Sequence, residues 1–404
     1  MSEEPVRILA PIGFANRLTR RQLIFGAAGT AGATLLLSAC GSDKKAEPSG
    51  ASTAGTTTGS SSSGNVTKSS GSVQLYTWGD YHDPDLVAEA PDIINVDVAM
   101  QFYASNEELI AKLEATKGNS GYDLIVPTGP YLPQMIAKEL LLKIDRSKIP
   151  NFKNIDPAYL GREWDPQNEW AVPRDWGSTG YLYDTSVIKR ELKTWADYFD
   201  AAANEASGQT SALDTSDNVL GPYFWANGIN WNTEKTEDLD AAEAFLVAEF
   251  APHVKAFDSY PSTKIAEGAY SMSAAWNGDA RQAYVRMDDA GMDPEPWKWV
   301  LGAPATEIWM DHYAIPADAK NPDGAHAWIN WMLEPDIAFR DLSYIGYNMT
   351  VDGTEELAKA AKLDRLDMVY FSKEQLDSMQ GGIVNSAQNR KVEIYNKVKA
   401  AAGG

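Results

Sequence analysis

Cysteine is almost missing from this chain: Cys40 is the only one in 404 residues. No intrachain disulfide can form, and a chain long enough for two domains of about 100–200 residues each needs none to hold a core. Histidine is nearly as scarce. His82, His253, His312 and His326 never fall at metal-ligand spacing, so no metal is expected. Positive charge is short too, with 35 basic against 56 acidic side chains and a net charge of −21. Beyond residue 39 the balance is 31 against 54. Such a surface repels nucleic acid and anionic lipid headgroups, which removes both as partners. No Gly-x-Ser-x-Gly elbow, phosphate loop or dinucleotide fingerprint follows residue 72, and no cofactor is expected. Paired carboxylates acting as acid and base stay open, since spacing along a chain does not exclude them.

The long apolar stretch is confined to the N-terminus. Arg20 and Arg21 precede a Gly/Ala/Leu-rich run from Leu23 to Ala39, which closes on Leu37, Ser38, Ala39 and Cys40. This segment resembles a bacterial lipoprotein signal of the twin-arginine kind, which implies residues 1–39 as the signal and Cys40 as the lipid anchor. The alternative is an uncleaved membrane anchor, for which the run is marginal in length. Either way the rest of the chain is expected outside the cytoplasm. Residues 40–72 are dominated by Ser, Gly and Thr and are expected to be a disordered tether with an r.m.s. reach of roughly 30 Å.

Regular structure is expected from Val73. Val73–Trp78 alternates and is rich in strand formers. Ser105 and Glu108 fit a capping box before a helix that buries Leu109 and Leu113 and stops near Gly118. Asp123–Pro127 reads as a short strand buried on both faces. Strand, helix and buried strand in that order predict an α/β fold with a parallel sheet. Ser271–Trp276 reads as another strand. Asn321 and Pro322 start a helix that buries Ala325, Trp328, Ile329 and Met332, with Glu334-Pro335-Asp336 as the turn after it. A terminal helix is expected from about Val384 to Ala400.

Thirteen tryptophans are unusually many. Several fall in polar-aromatic clusters at expected strand ends, including Trp78-Gly79-Asp80-Tyr81, Thr128-Gly129-Pro130-Tyr131, Trp276-Asn277-Gly278, Trp309-Met310-Asp311 and Ile345-Gly346-Tyr347. Ligands of open α/β sheets sit beyond the carboxyl ends of the strands. Aromatic faces with carboxylates among them suit an organic cation, because the ring quadrupole attracts the charge and a carboxylate adds a charge-assisted hydrogen bond. Tryptophan-lined clefts also hold sugars, so a lipid-anchored glycoside hydrolase using Asp80 and Asp311 is a competing reading.

From Val73 to Ala400 the chain resembles the spermidine/putrescine-binding proteins of bacterial ABC transporters. The resemblance rests on Leu75–Tyr81, Tyr122–Thr128, Leu142–Lys148 with Asn154-Ile155-Asp156, Glu267-Gly268, Ala275–Gly278, Trp309–Asp311, Ala314–Ala317, Glu334–Asp336 and Ile345–Tyr347. It implies a two-lobed periplasmic-binding-protein fold of type II character, with the ligand cleft between lobes joined by crossing strands. One lobe would comprise 73–177 and 312–353, the other 178–311 and 354–404. It further implies a monomeric solute-binding subunit, not an enzyme, that hands a linear polyamine to a membrane permease.

Carried over position by position, the resemblance makes Trp78 and Tyr81 aromatic walls and Asp80 available to an amine. Thr128 stands where the family has serine. Trp276 and Trp309 would box the methylene chain, Asp311 would hold an ammonium group, Tyr347 would close the wall and Gln380 would offer an amide. Two departures stand out. The family's acidic residue before the helix leading to Gly228 falls on Asn218, with Asp217 beside it, either as ligand contacts or as a helix cap. Arg174 and Asp175 replace an aromatic and an apolar residue. An Arg174 facing the cleft would bind a carboxylate and favour an amino-acid- or opine-like zwitterion, while an Arg174 in a surface salt bridge would not.

Overall fold

The computed structural model describes residues 67–116 and 118–403. The signal, Cys40 and most of the tether lie outside the described residues. The end of the expected tether is not loose. Ser69 N donates to Ile94 O at 3.0 Å, Asn95 Nδ2 to Ser69 O at 2.7 Å, and Asn321 Nδ2 to Ser70 O at 2.9 Å. These backbone groups find partners in the folded body, which fastens the segment ahead of the first strand.

Among the described residues twelve strands form one connected, mixed sheet: β1 (Ser72–Thr77), β2 (Asp97–Phe102), β3 (Leu124–Ile125), β4 (Leu141–Leu142), β5 (Ala171–Asp184), β6 (Thr210–Leu213), β7 (Val254–Asp258), β8 (Met272–Trp276), β9 (Trp297–Val300), β10 (Thr306–Pro316), β11 (Asn348–Met349) and β12 (Met379–Gly381). The main order is β2-β1-β3-β10-β5-β8-β6-β7. β1 pairs in parallel with β2 and β3, as the strand-helix-strand reading expects. β10 runs antiparallel to β3 and β5, which makes the sheet mixed rather than parallel throughout.

Side chains alternate across β1. Val73 and Leu75 enter one apolar core, while Tyr76 enters another on the opposite face. A separate core gathers Tyr181, Trp195, Trp225, Leu246 and Met272 in the second lobe. β5 joins the lobes. Its residues 171–178 pair with β10, and its residues 179–184 pair with β8 and β9. All of β5 but Asp184 is buried.

The helix Asn106–Ala115 is capped by Ser105, whose hydroxyl accepts from Glu108 N at 3.1 Å; Glu108 answers by accepting from Ala104 N at 2.9 Å. Asn321 caps Pro322–Met332. The turn after that helix is shorter than expected. Pro335 is the first residue of the next helix, Pro335–Ile345, because a proline fits the first helical position without losing a bond. The terminal helix runs Gln388–Ala401, starting four residues later than expected. Among the described residues no helix is long and apolar enough to cross a membrane.

Candidate functional site

The site is built on β10. Glu307, Trp309 and Asp311 alternate along it and so share one face. Across the antiparallel register Trp309 lies opposite Gly177 and Asp311 opposite Asp175. A Cβ on Gly177 would stand 2.5 Å from the Trp309 ring and from Asn277 Oδ1, so only glycine lets the indole lie against β5.

Asp311 is the focus. It is buried, and its Oδ2 accepts from the Tyr81 hydroxyl at 2.9 Å. Thr128 meets it in a one-residue β-bridge. Oδ1 is buried with no hydrogen-bond partner among the described residues. Burial raises the Asp311 carboxyl far above the usual range and the charge of Asp175 adds to this; Thr128 and Tyr81 pull it partly back. Aromatic rings enclose the carboxylate. Tyr347 lies 5.6 Å from Tyr81 and packs edge-on to Trp309 at 4.9 Å. The Trp309 Nε1–H is also buried without a partner among the described residues.

Neighbouring loops complete the wall. Trp78 donates from Nε1 to Val126 O at 3.1 Å and stands 4.6 Å from the Tyr103 ring. Trp276, at the end of β8, is half-buried and packs against the cores of both lobes. The helix that follows it brings Gly278 under Tyr347, where a Cβ would lie 2.5 Å from the ring and from Ile345 O. Asp279, one residue on, accepts from the Tyr347 hydroxyl at 2.6 Å. Burial pushes its carboxyl up to about 7 despite that bond.

Five residues named from the resemblance have partners within the protein. Arg174 is neither at the surface nor open to a ligand carboxylate. It is 1% exposed, and its guanidinium donates to Asp175 at 2.6 Å, Asp341 at 2.7 Å, Tyr81 O at 2.5 Å and the Tyr313 hydroxyl at 2.9 Å. It lies 4.3 Å from the Tyr81 ring centroid and fixes that ring from behind. Asp80 is ion-paired with Arg286 at 3.0 Å. Asp217 sits in the first turn of the helix Ser216–Ala226, whose cap is Thr215, and meets Lys391 at 3.3 Å. Asn218 donates to Glu307 Oε2 at 2.5 Å. Gln380 pairs with Glu307 across β12 and also lines a surface cavity of about 480 Å³.

Glu307 and Asp279 were not singled out from the sequence. A signal for Glu307 existed: Glu307-Ile308-Trp309-Met310-Asp311 places two acids two residues either side of a tryptophan, which is one face of a strand. Burial raises Glu307 to about 7, and Asp217 adds to the rise. His312 is buried and pushed down to about 3 by desolvation, so it carries no charge beside the slot. Among the described residues no three His, Cys, Asp or Glu side chains are grouped to hold a metal ion.

With this geometry in hand, four likenesses bear on its use. The profile of the bacterial extracellular solute-binding protein family matches residues 92–364. The spermidine/putrescine-binding periplasmic protein of Escherichia coli (strain K12) is 32% identical over 283 residues, 69% of this chain and 77% of that one. Spermidine/putrescine-binding periplasmic protein 1 of Haemophilus influenzae is 30% identical over 337 residues, 82% of this chain and 90% of that one. Among solved structures, the TpPotD lipoprotein of Treponema pallidum superposes with a TM-score of 0.68 at 27% identity, covering 81% of this chain and 99% of its own.

Proposed function

This chain belongs to the family of bacterial extracellular solute-binding proteins, and from that premise we propose that its slot captures a linear di- or polyamine outside the cytoplasm and delivers it to a membrane ABC permease. One observation carries the reading: Asp311, a buried carboxylate with an unpartnered oxygen, is ringed by Tyr81, Trp309 and Tyr347 and has no cationic side chain in ion-pair contact among the described residues. An isolated buried charge is costly, and an ammonium group from the ligand supplies the missing counter-charge. The rings add cation–π attraction of about 0.5–2 kcal/mol per contact and an apolar wall for the methylenes.

In this reading Trp78, Tyr81, Trp276, Trp309 and Tyr347 form the walls, Asp311 holds one ammonium group, and Thr128 positions Asp311. Arg174 is a support beneath Tyr81, since its donors are engaged by Asp175, Asp341, Tyr313 and a backbone carbonyl. That leaves a ligand carboxylate without the guanidinium an opine-like zwitterion would need. The chain works as a monomer tethered to the membrane through lipid on Cys40.

Titration of the purified protein with putrescine, spermidine and spermine, followed by tryptophan fluorescence and melting temperature, tests the reading. A ligand bound only by the folded state stabilises it by about 2.7 kcal/mol at a hundredfold excess over Kd. Protection by amines with none by 4-aminobutyrate is expected. Indifference to every amine at millimolar concentration overturns the proposal.

A further inference from the structure

Buried carboxylates in this protein have their charge answered in one of two ways, and the slot breaks the pattern. Asp175 and Asp341 share Arg174. Asp123 accepts from the backbone amides of Gln74, Lys320 and Asn321. Asp165 accepts from those of Glu169, Trp170 and Ala171. Glu307 has neither answer. It is 9% exposed, and among the described residues it meets no cationic side chain within ion-pair contact and no backbone amide through its carboxylate. Its two side-chain donors, Thr179 at 2.6 Å and Asn218 at 2.5 Å, both converge on Oε2. Lys391, the nearest buried cation, is turned to Asp217 and to Trp231 O, each at 3.3 Å.

We propose that Glu307 is a second ammonium-binding carboxylate at the opposite end of the slot from Asp311, and that this pair sets the preferred ligand at triamine length rather than four-carbon diamine length. The inference rests on the amine reading of the slot and specifies it. Glu307 and Asp311 lie on one face of one strand, four residues apart, with the register irregularity falling only after Asp311. At about 3.3 Å per residue their Cα atoms are roughly 13 Å apart, with Trp309 midway. An extended chain advances about 1.2 Å per bond, so the five bonds between the nitrogens of a four-carbon diamine span about 6 Å and nine bonds span about 11 Å. The shorter molecule reaches one acid; the longer reaches both.

The neighbours of Glu307 fit this role. Asn218 is an amide that donates to Glu307 rather than a second acid, and Thr179 donates to the same oxygen from β5. Both are positioning residues that hold the Glu307 carboxylate through Oε2. Burial leaves the carboxyl poised at about 7, ready to ionise fully when a cation arrives.

Two calorimetric measurements test this on the purified protein. The first uses the wild type and a ladder of α,ω-diamines from four to ten carbons, together with putrescine and spermidine. Affinity should climb with length to about eight carbons, where nine bonds separate the nitrogens, by about tenfold to a hundredfold, the worth of one hydrogen bond to a charged group. A ladder that is flat, or that peaks at four carbons, overturns the inference without any variant. The second compares Glu307→Gln with the wild type. The substitution should weaken spermidine by a similar factor while leaving putrescine within about threefold, and Asn218→Asp in that background should restore much of the loss by returning a carboxylate one hydrogen bond away. Equal loss for both amines, or none, overturns the role of Glu307 while leaving amine capture standing. A wild type that binds no amine removes both.

Discussion

The hydroxyl of Tyr81 donates to Oδ2 of Asp311 at 2.9 Å across 230 residues of sequence. Tyr81 comes from the loop after β1 and Asp311 from the middle of β10, so the bond closes the slot at the seam between a lobe and a crossing strand. It satisfies half of a buried carboxylate and leaves Oδ1 without a partner among the described residues.

Asp311→Asn tests the charge separately from the shape. The amide keeps the volume and accepts from Tyr81 through its oxygen. Polyamine affinity should fall by about tenfold to a hundredfold or more, since a hydrogen bond to a charged group is worth about 1.5–3 kcal/mol. The unliganded variant should melt no lower than the wild type at pH 8, because a buried uncompensated charge has been removed. Calorimetry and differential scanning measure the two effects on one sample. Intact affinity with a lowered melting temperature would make Asp311 a structural residue.

Asp80→Ala offers a contrast of magnitude. Its ion pair with Arg286 is partly exposed, with side chains 36% and 28% accessible. Exposed pairs are weak and screened by salt, so amine affinity should drop only a few-fold and less at high ionic strength. A loss as large as that of Asp311→Asn would make Asp80 a direct ligand.

Glu307 and Asp279 give the slot a pH dependence whose sign follows from their direction of shift. Both rise from ordinary values of 4.5 and 3.8 to about 7 in the folded protein. Between those limits the folded state binds more protons than the unfolded one. Their contribution to stability is therefore whole below about pH 4 and lost as pH rises through 7. Amine capture at Glu307 needs its ionised form, so affinity should run the other way and strengthen from pH 6 to pH 8. Titrations in buffers of different ionisation enthalpy should show protons released on binding near pH 6.5 and almost none at pH 8.5. Binding without proton release at pH 6.5 would contradict the assignment.

Arg174→Ala should be severe. It strands Asp175 and Asp341, both buried and both otherwise paired to the guanidinium. Breaking a buried pair by removing one partner costs about 3–5 kcal/mol. Burial already lifts Asp341 to about 6, so the two carboxyls protonate readily once Arg174 is gone. The loss should be smaller at pH 5 than at pH 8, as read by urea denaturation at both. A deficit independent of pH would mean that lost packing on Tyr81, not charge, carries the effect.

Gly278→Ala probes the floor of the wall. The new methyl would press on Ile345 O and the Tyr347 ring, and the backbone oxygen has little room to give. Overpacking of this kind costs about 1–3 kcal/mol. Melting temperature and amine affinity should fall together; an unchanged pair of values would show that the helix and Tyr347 shift freely.

Short-range features were legible without coordinates. Alternation fixed β1, the Ser105–Glu108 pair marked a helix start, Asn321 and Pro322 another, and each depends only on residues within a turn or two. β5 was not legible as a strand. It carries Arg174 and Asp175 in its buried middle, and a charged pair in a central strand reads as a surface segment until Asp341, Tyr313 and Tyr81 are known to surround it.

What the chain alone determined was the kind of chemistry on offer: many rings, isolated acids and few bases. Tertiary structure decided which acids keep a partner. Asp80, Asp175 and Asp217 are each met by a cation brought from elsewhere in the chain or beside them, whereas among the described residues Asp311, Asp279 and Glu307 meet none in ion-pair contact. Sequence lists the charges, but burial and the reach of Arg174, Arg286 and Lys391 determine which are cancelled.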